Sequence, residues 1–137
     1  MLAAGASKVV VLTLDDYGEV PALVKNPRHG VLTGWVNAFN AELASGLTGL
    51  PVLLVDANAT FRAARSDPAR FGLKNSAAPA CDMTKLPNRS VMLCDEKTLV
   101  ENDAQLTYLY ADGLHPSTAG HRLIANEVLK RLKASGK

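Results

Sequence analysis

The chain has 137 residues, 47% of them apolar, a formal net charge of +2 and a mean hydropathy of +0.04, the profile of one soluble globular domain with a modest core. No apolar run approaches the roughly 20 residues of a membrane span, and the start lacks the charged and apolar regions of a signal peptide. Aromatics make up only 5%, and Lys130, Arg131, Lys133 and Lys137 gather in the last turns of one predicted helix, which reads as a solvated face and excludes a nucleic-acid partner.

Leu2-Ala3-Ala4-Gly5 reads as the last turn of a helix with Gly5 just beyond its end; too few residues precede it to complete that helix, so the chain is expected to be truncated at its N-terminus. Residues 8–14 form an apolar, β-branched run without alternation, predicted as a strand buried on both faces, and residues 51–56 form a second. Between them Leu32, Trp35, Val36, Phe39, Leu43 and Leu47 recur at helical spacing, which makes Trp35 and Phe39 core residues. The helix is expected to start near the Asn26-Pro27 turn or Thr33 and to end near Gly46 or Gly49. Strand, helix and strand then make a right-handed βαβ unit. Asn58 is expected to cap a short helix running to Arg65 and stopped by Ser66-Asp67-Pro68. Residues 69–88 read as a long irregular excursion, residues 90–94 as an edge strand and residues 106–110 as the last strand or an extended lead-in. The closing helix runs from a Ser117 or Thr118 cap to Lys133, with Leu123, Ile124, Val128, Leu129 and Leu132 on one face.

The pattern with chemical content is Asp112-Gly113-Leu114-His115-Pro116, immediately before that helix. A carboxylate and an imidazole three residues apart on a loop suit general-base catalysis: one ring nitrogen faces a nucleophile, and the other donates to the carboxylate that fixes tautomer and orientation. Burial of the helix would hold His115 still, and Gly113 lets the backbone turn sharply between the two groups. The bland alternative is a surface histidine bonded to Asp112 with the same geometry. His29 is expected exposed in a turn and His121 in a packing or capping contact. Neither stands at a metal-ligand spacing from His115, so no metal is expected. Asp15 and Asp16 at a strand end read as turn residues.

The Asp112-to-Pro116 block resembles the last sequence block of the GDSL or SGNH ester hydrolases, Asp-x-x-His-Pro. More of the chain is similar to that family's C-terminal half: residues 4–12 to a strand, Leu14-Asp15-Asp16-Tyr17-Gly18 to its Leu-Pro-Asp-x-Gly turn, residues 35–43 to its long helix, Val55-Asp56 to a strand end, and residues 71–75 with Ala80-Cys81 to a loop of secreted members. No Gly-Asp-Ser-Leu and no Gly-x-Asn-Asp occurs, and none of the seven serines sits in the family's nucleophile context. The resemblance implies a three-layer α/β/α, flavodoxin-like SGNH fold truncated at the N-terminus, with residues 1–137 as a single domain forming its C-terminal portion. It also implies acyl transfer from a small-molecule or lipid ester, with no cofactor and with Asp112 and His115 as the catalytic residues present. Cys81 and Cys94 flank a polar loop, and either a disulfide or two free thiols fits the residues. The resemblance to exported members favours the disulfide and a secreted or periplasmic setting. Strands apolar on both faces need cover, so a homodimer or association with a missing N-terminal half is expected. The alternative is a non-catalytic α/β fragment or subunit that pairs with another chain through an exposed sheet edge.

Overall fold

Residues 2–135 are described by a computed structural model. A 3-10 turn at Leu2–Ala4 ends at Gly5, whose φ of 88° is the left-handed conformation expected of a helix-terminating glycine. Strand β1 (Val10–Leu12) leads through a turn to helix α1 (His29–Gly46), and strand β2 (Leu53–Val55) returns parallel to β1, with Val10 opposite Leu53 and Leu12 opposite Val55. Helix α2 (Ala57–Ser66) follows. Strand β3 (Asn75–Pro79) pairs in parallel with β4 (Tyr108–Tyr110), which the short helix α3 (Ala104–Thr107) precedes, and α4 (Thr118–Ser135) closes the described chain. The architecture is mixed α/β, with two small parallel sheets.

The core forms where β4 meets α2 and α4: Leu109, Tyr110, Phe61, Ala64, Leu73, Val20 and Ala119 are buried together, and the Phe61 and Tyr110 rings stack with centroids 6.4 Å apart. Each large apolar side chain sequestered there stabilises the fold by about 1.5–3 kcal/mol. Gly120 lets α4 sit hard against β4, because a Cβ at that position would lie 2.6 Å from the Leu109 carbonyl oxygen and 2.8 Å from Pro116 Cβ.

Several elements differ from expectation. Only Val55 among the strand residues of β1 and β2 is buried; Leu12 and Leu14 are exposed, so these strands are not covered on both faces. Trp35 (68% exposed) and Phe39 (51%) lie outside the core, since α1 turns Leu32, Val36 and Leu43 inward and that second apolar row outward. The α2 cap is Asp56, whose Oδ1 accepts from Ala59 N at 2.9 Å, two residues earlier than Asn58. The excursion after Ala69 contains β3. Residues 90–94 contain a 3-10 turn at Val91–Leu93 instead of a strand, because left-handed backbone at Asn88 and Arg89 swings the chain around. His29 is half-buried and opens α1, 3.8 Å from Glu19.

Just beyond β1, the edge of the chain that faces away from β2 has a side-chain partner at Leu14. The Asn40 carboxamide accepts from Leu14 N and donates to Leu14 O, both at 2.9 Å.

Candidate active site

The loop after β4 is stapled at both ends before either candidate side chain is placed. Ala111 N donates to His115 O at 2.8 Å, Cys81 N donates to Ala111 O at 2.9 Å, and Ser117 N donates to Leu109 O at 3.0 Å. The buried Ser117 hydroxyl donates to the Tyr108 carbonyl and accepts from Ala119 N (3.0 Å) and Gly120 N (3.2 Å), capping α4. Across the loop, Ala22 N donates to Gly113 O at 2.9 Å, and a Cβ on Gly113 would lie 2.7 Å from Ala22 Cβ. The absence of a side chain at Gly113 therefore serves close packing of two backbones; its φ is not left-handed.

Within this frame Asp112 uses both oxygens. Oδ1 accepts from the backbone N–H of Leu114 (2.7 Å) and His115 (2.6 Å), and Oδ2 stands 2.8 Å from His115 Nδ1. That contact is a hydrogen bond when the proton sits on Nδ1, which leaves Nε2 with a free lone pair. The Asp112 side chain is only 13% exposed and that of His115 61%. Burial acts to raise the Asp112 carboxyl, but the His115 N–H, the imidazole and the Leu114 N–H outweigh it and hold the carboxyl below its usual range. The pair can accept a proton at Nε2 and stabilise the resulting imidazolium.

Among the described residues, no serine hydroxyl is hydrogen-bonded to His115; Ser117, the nearest in sequence, is committed to its cap. Behind the loop lies a cavity of about 400 Å³ whose lining includes Leu99, Ala111, Pro116, Thr118 and the exposed His121. One wall is the Cys81–Cys94 disulfide, with a Cα separation of 6.0 Å. No group of three His, Cys, Asp or Glu residues suited to a metal ion, and no helix long and apolar enough to cross a membrane, occurs among the described residues.

The two strand-end acids divide. Asp16 is a turn residue whose Oδ1 accepts from Gly18 N and the Thr33 hydroxyl, both at 2.8 Å. Asp15 enters a half-buried network that sequence reasoning missed: Arg65 Nη1 donates to Oδ1 (2.9 Å), to Oδ2 (3.1 Å) and to the Tyr110 hydroxyl (2.7 Å), and that hydroxyl donates to Oδ2 (3.2 Å). Burial raises the Asp15 carboxyl above its usual range despite the attraction of Arg65, and it pushes the Tyr110 phenol up as well. An arginine near the end of an amphipathic helix is the one sequence signal available, and many such arginines are solvated.

No family model matches the sequence. The chain is 27% identical, over 142 aligned positions, to a GDSL esterase/lipase of Arabidopsis thaliana. That match covers 94% of this chain and 39% of the relative, so the chain spans well under half of the relative's length. At this identity the likeness supports a relationship to the GDSL esterase/lipases.

Proposed function

We propose that this chain supplies the aspartate and histidine of a serine ester hydrolase of the GDSL type, within a three-layer α/β/α domain that further polypeptide completes. The observation that carries the reading is the Asp112–His115 pair: a buried, triply bonded carboxylate 2.8 Å from Nδ1 of an imidazole whose other face is open. A serine from outside these 137 residues attacks the carbonyl carbon of a carboxylic ester while His115 Nε2 takes the hydroxyl proton. The tetrahedral intermediate collapses, the imidazolium returns the proton to the departing alcohol, and an acyl-enzyme remains. Water then repeats the sequence and frees the acid. Proton transfer by such a base contributes about 10²–10⁴-fold in rate. The substrate class is a lipid or small-molecule ester, and the disulfide supports a secreted or periplasmic setting.

The test combines this chain with a polypeptide carrying a Gly-Asp-Ser-Leu block and follows p-nitrophenyl ester hydrolysis together with fluorophosphonate labelling. Labelling of the added serine that disappears with His115→Ala and falls steeply with Asp112→Asn is the expected result; the chain alone should acquire no label. Labelling indifferent to both substitutions would favour the second reading, a non-catalytic subunit, which draws support from the lack, among the described residues, of a serine bonded to His115.

A further inference from the structure

The exposed side of α1 has an internal symmetry. Between Arg28 at its N-cap and Glu42, no residue apart from His29 can carry a charge. Val31 (50% exposed), Trp35 and Phe39 form a bulky row at four-residue spacing. Beside it Gly30, Gly34 and Ala38 form a row of small residues at the same spacing, and an added Cβ at Gly30 or Gly34 would meet nothing within 4 Å. Arg28 and Glu42 each stand seven residues from Trp35. Seven residues are close to two helical turns, so all three share one face, with the charges about 10 Å to either side of the indole. Both charged residues are exposed, and neither forms an ion pair among the described residues.

We infer that this face binds a second copy of the chain, the two α1 helices packing antiparallel about a twofold axis at Trp35. In that arrangement Trp35 of each copy seats over the Gly34 and Ala38 notch of the other, ridge into groove, and Arg28 of each copy faces Glu42 of the other at both ends of the contact. Four-residue rows on both helices interlock at a crossing of about 50°, and about 10 Å from the crossing point the long Arg28 and Glu42 side chains together span the gap between the diverging ends. The charges select the orientation, since a parallel pair would set Arg28 against Arg28 and Glu42 against Glu42. They also disfavour a lipid surface, which amphipathic helices meet with a row of basic residues that α1 does not have. The inference does not depend on the ester hydrolase reading.

The experiment is sedimentation equilibrium on the 137-residue chain and three sets of variants. The wild type should show a species of twice 14.5 kDa in the micromolar range. Arg28→Glu and Glu42→Arg should each weaken it by about tenfold, from two lost pairs and new like-charge contacts, and the double exchange should restore it. Gly34→Leu fills open space in the monomer but blocks the notch, so it should abolish the dimer while far-UV circular dichroism stays unchanged. A monomer up to roughly 100 µM, a weak interface by any standard, would overturn the inference. So would a dimer indifferent to Gly34→Leu, or a double exchange no better than its components.

Discussion

Replacing Arg65 by Met tests whether the Asp15–Arg65–Tyr110 network bears on stability as its burial implies. Arg65 is 13% exposed and Asp15 16%, and Arg65 Nη1 makes three hydrogen bonds of 2.7–3.1 Å. Methionine keeps most of the apolar stem but leaves the Asp15 carboxylate with only the Tyr110 hydroxyl and the Asp16 N–H. Breaking a buried pair from one side costs about 3–5 kcal/mol. The two surviving bonds, and the freedom of Asp15 to take a proton, place this case near 3 kcal/mol, or a fall of about 10 °C in Tm for a chain of this size. The sign of the pH dependence follows from the carboxyl. Asp15 already binds its proton more tightly folded than unfolded, so its contribution is most favourable in acid and declines as pH rises from the unfolded to the folded value; removing Arg65 raises the folded value further. The loss in Arg65→Met should therefore be larger at pH 7 than at pH 5, and Asp15→Leu combined with Arg65→Met should recover most of it. Urea denaturation followed by circular dichroism at the two pH values reads all three quantities. An Arg65→Met midpoint equal to wild type, or a loss no smaller at pH 5, would refute the argument.

Reducing the Cys81–Cys94 link should lower stability by about 3 kcal/mol, the chain-entropy value for a loop closed across thirteen positions; thiol titration of the non-reduced, denatured protein should find no free thiols. Gly120→Ala should destabilise by roughly 1–3 kcal/mol despite a better helix former, because the methyl group collides with Leu109 O and Pro116 Cβ, which thermal melts would show directly. Asp112→Asn should cost most near neutrality. The native carboxyl lies below its usual range, so its contribution is complete above the unfolded value and lost as pH falls through the folded one; the gap to wild type should narrow below about pH 4 in pH-resolved unfolding curves.

The parts of this fold that could be read from sequence are those in which one strong local signal coincides with the tertiary outcome. The β-branched runs gave β1 and β2, the helical period gave α1 and α4, and Ser117 before Thr118 announced its cap. Strand β3 was hidden because Asn75-Ser76-Ala77-Ala78-Pro79 has no strand propensity of its own; its backbone is recruited by β4. The Val91–Leu93 run misled in the opposite direction, since apolarity marks a buried strand only where the backbone before it permits extension. Trp35 and Phe39 obey the helical period, but a helix with two apolar rows buries only the one that faces its own domain. The Asp112–His115 pair was legible because three residues on one loop fix their proximity. The Asp15–Arg65 contact spans 50 positions, and no local pattern encodes it.

Asn40 has a meaning for solubility. A bare parallel strand edge is a template for any extended peptide, and the Leu14 donor and acceptor would otherwise be the last rung of that template. By occupying both, the carboxamide imitates the backbone of an absent neighbour and halts the ladder after three residues, too short a stretch to seed cross-β stacking. A valine at position 40 would keep the bulk and remove the imitation, turning a finished edge into an adhesive one.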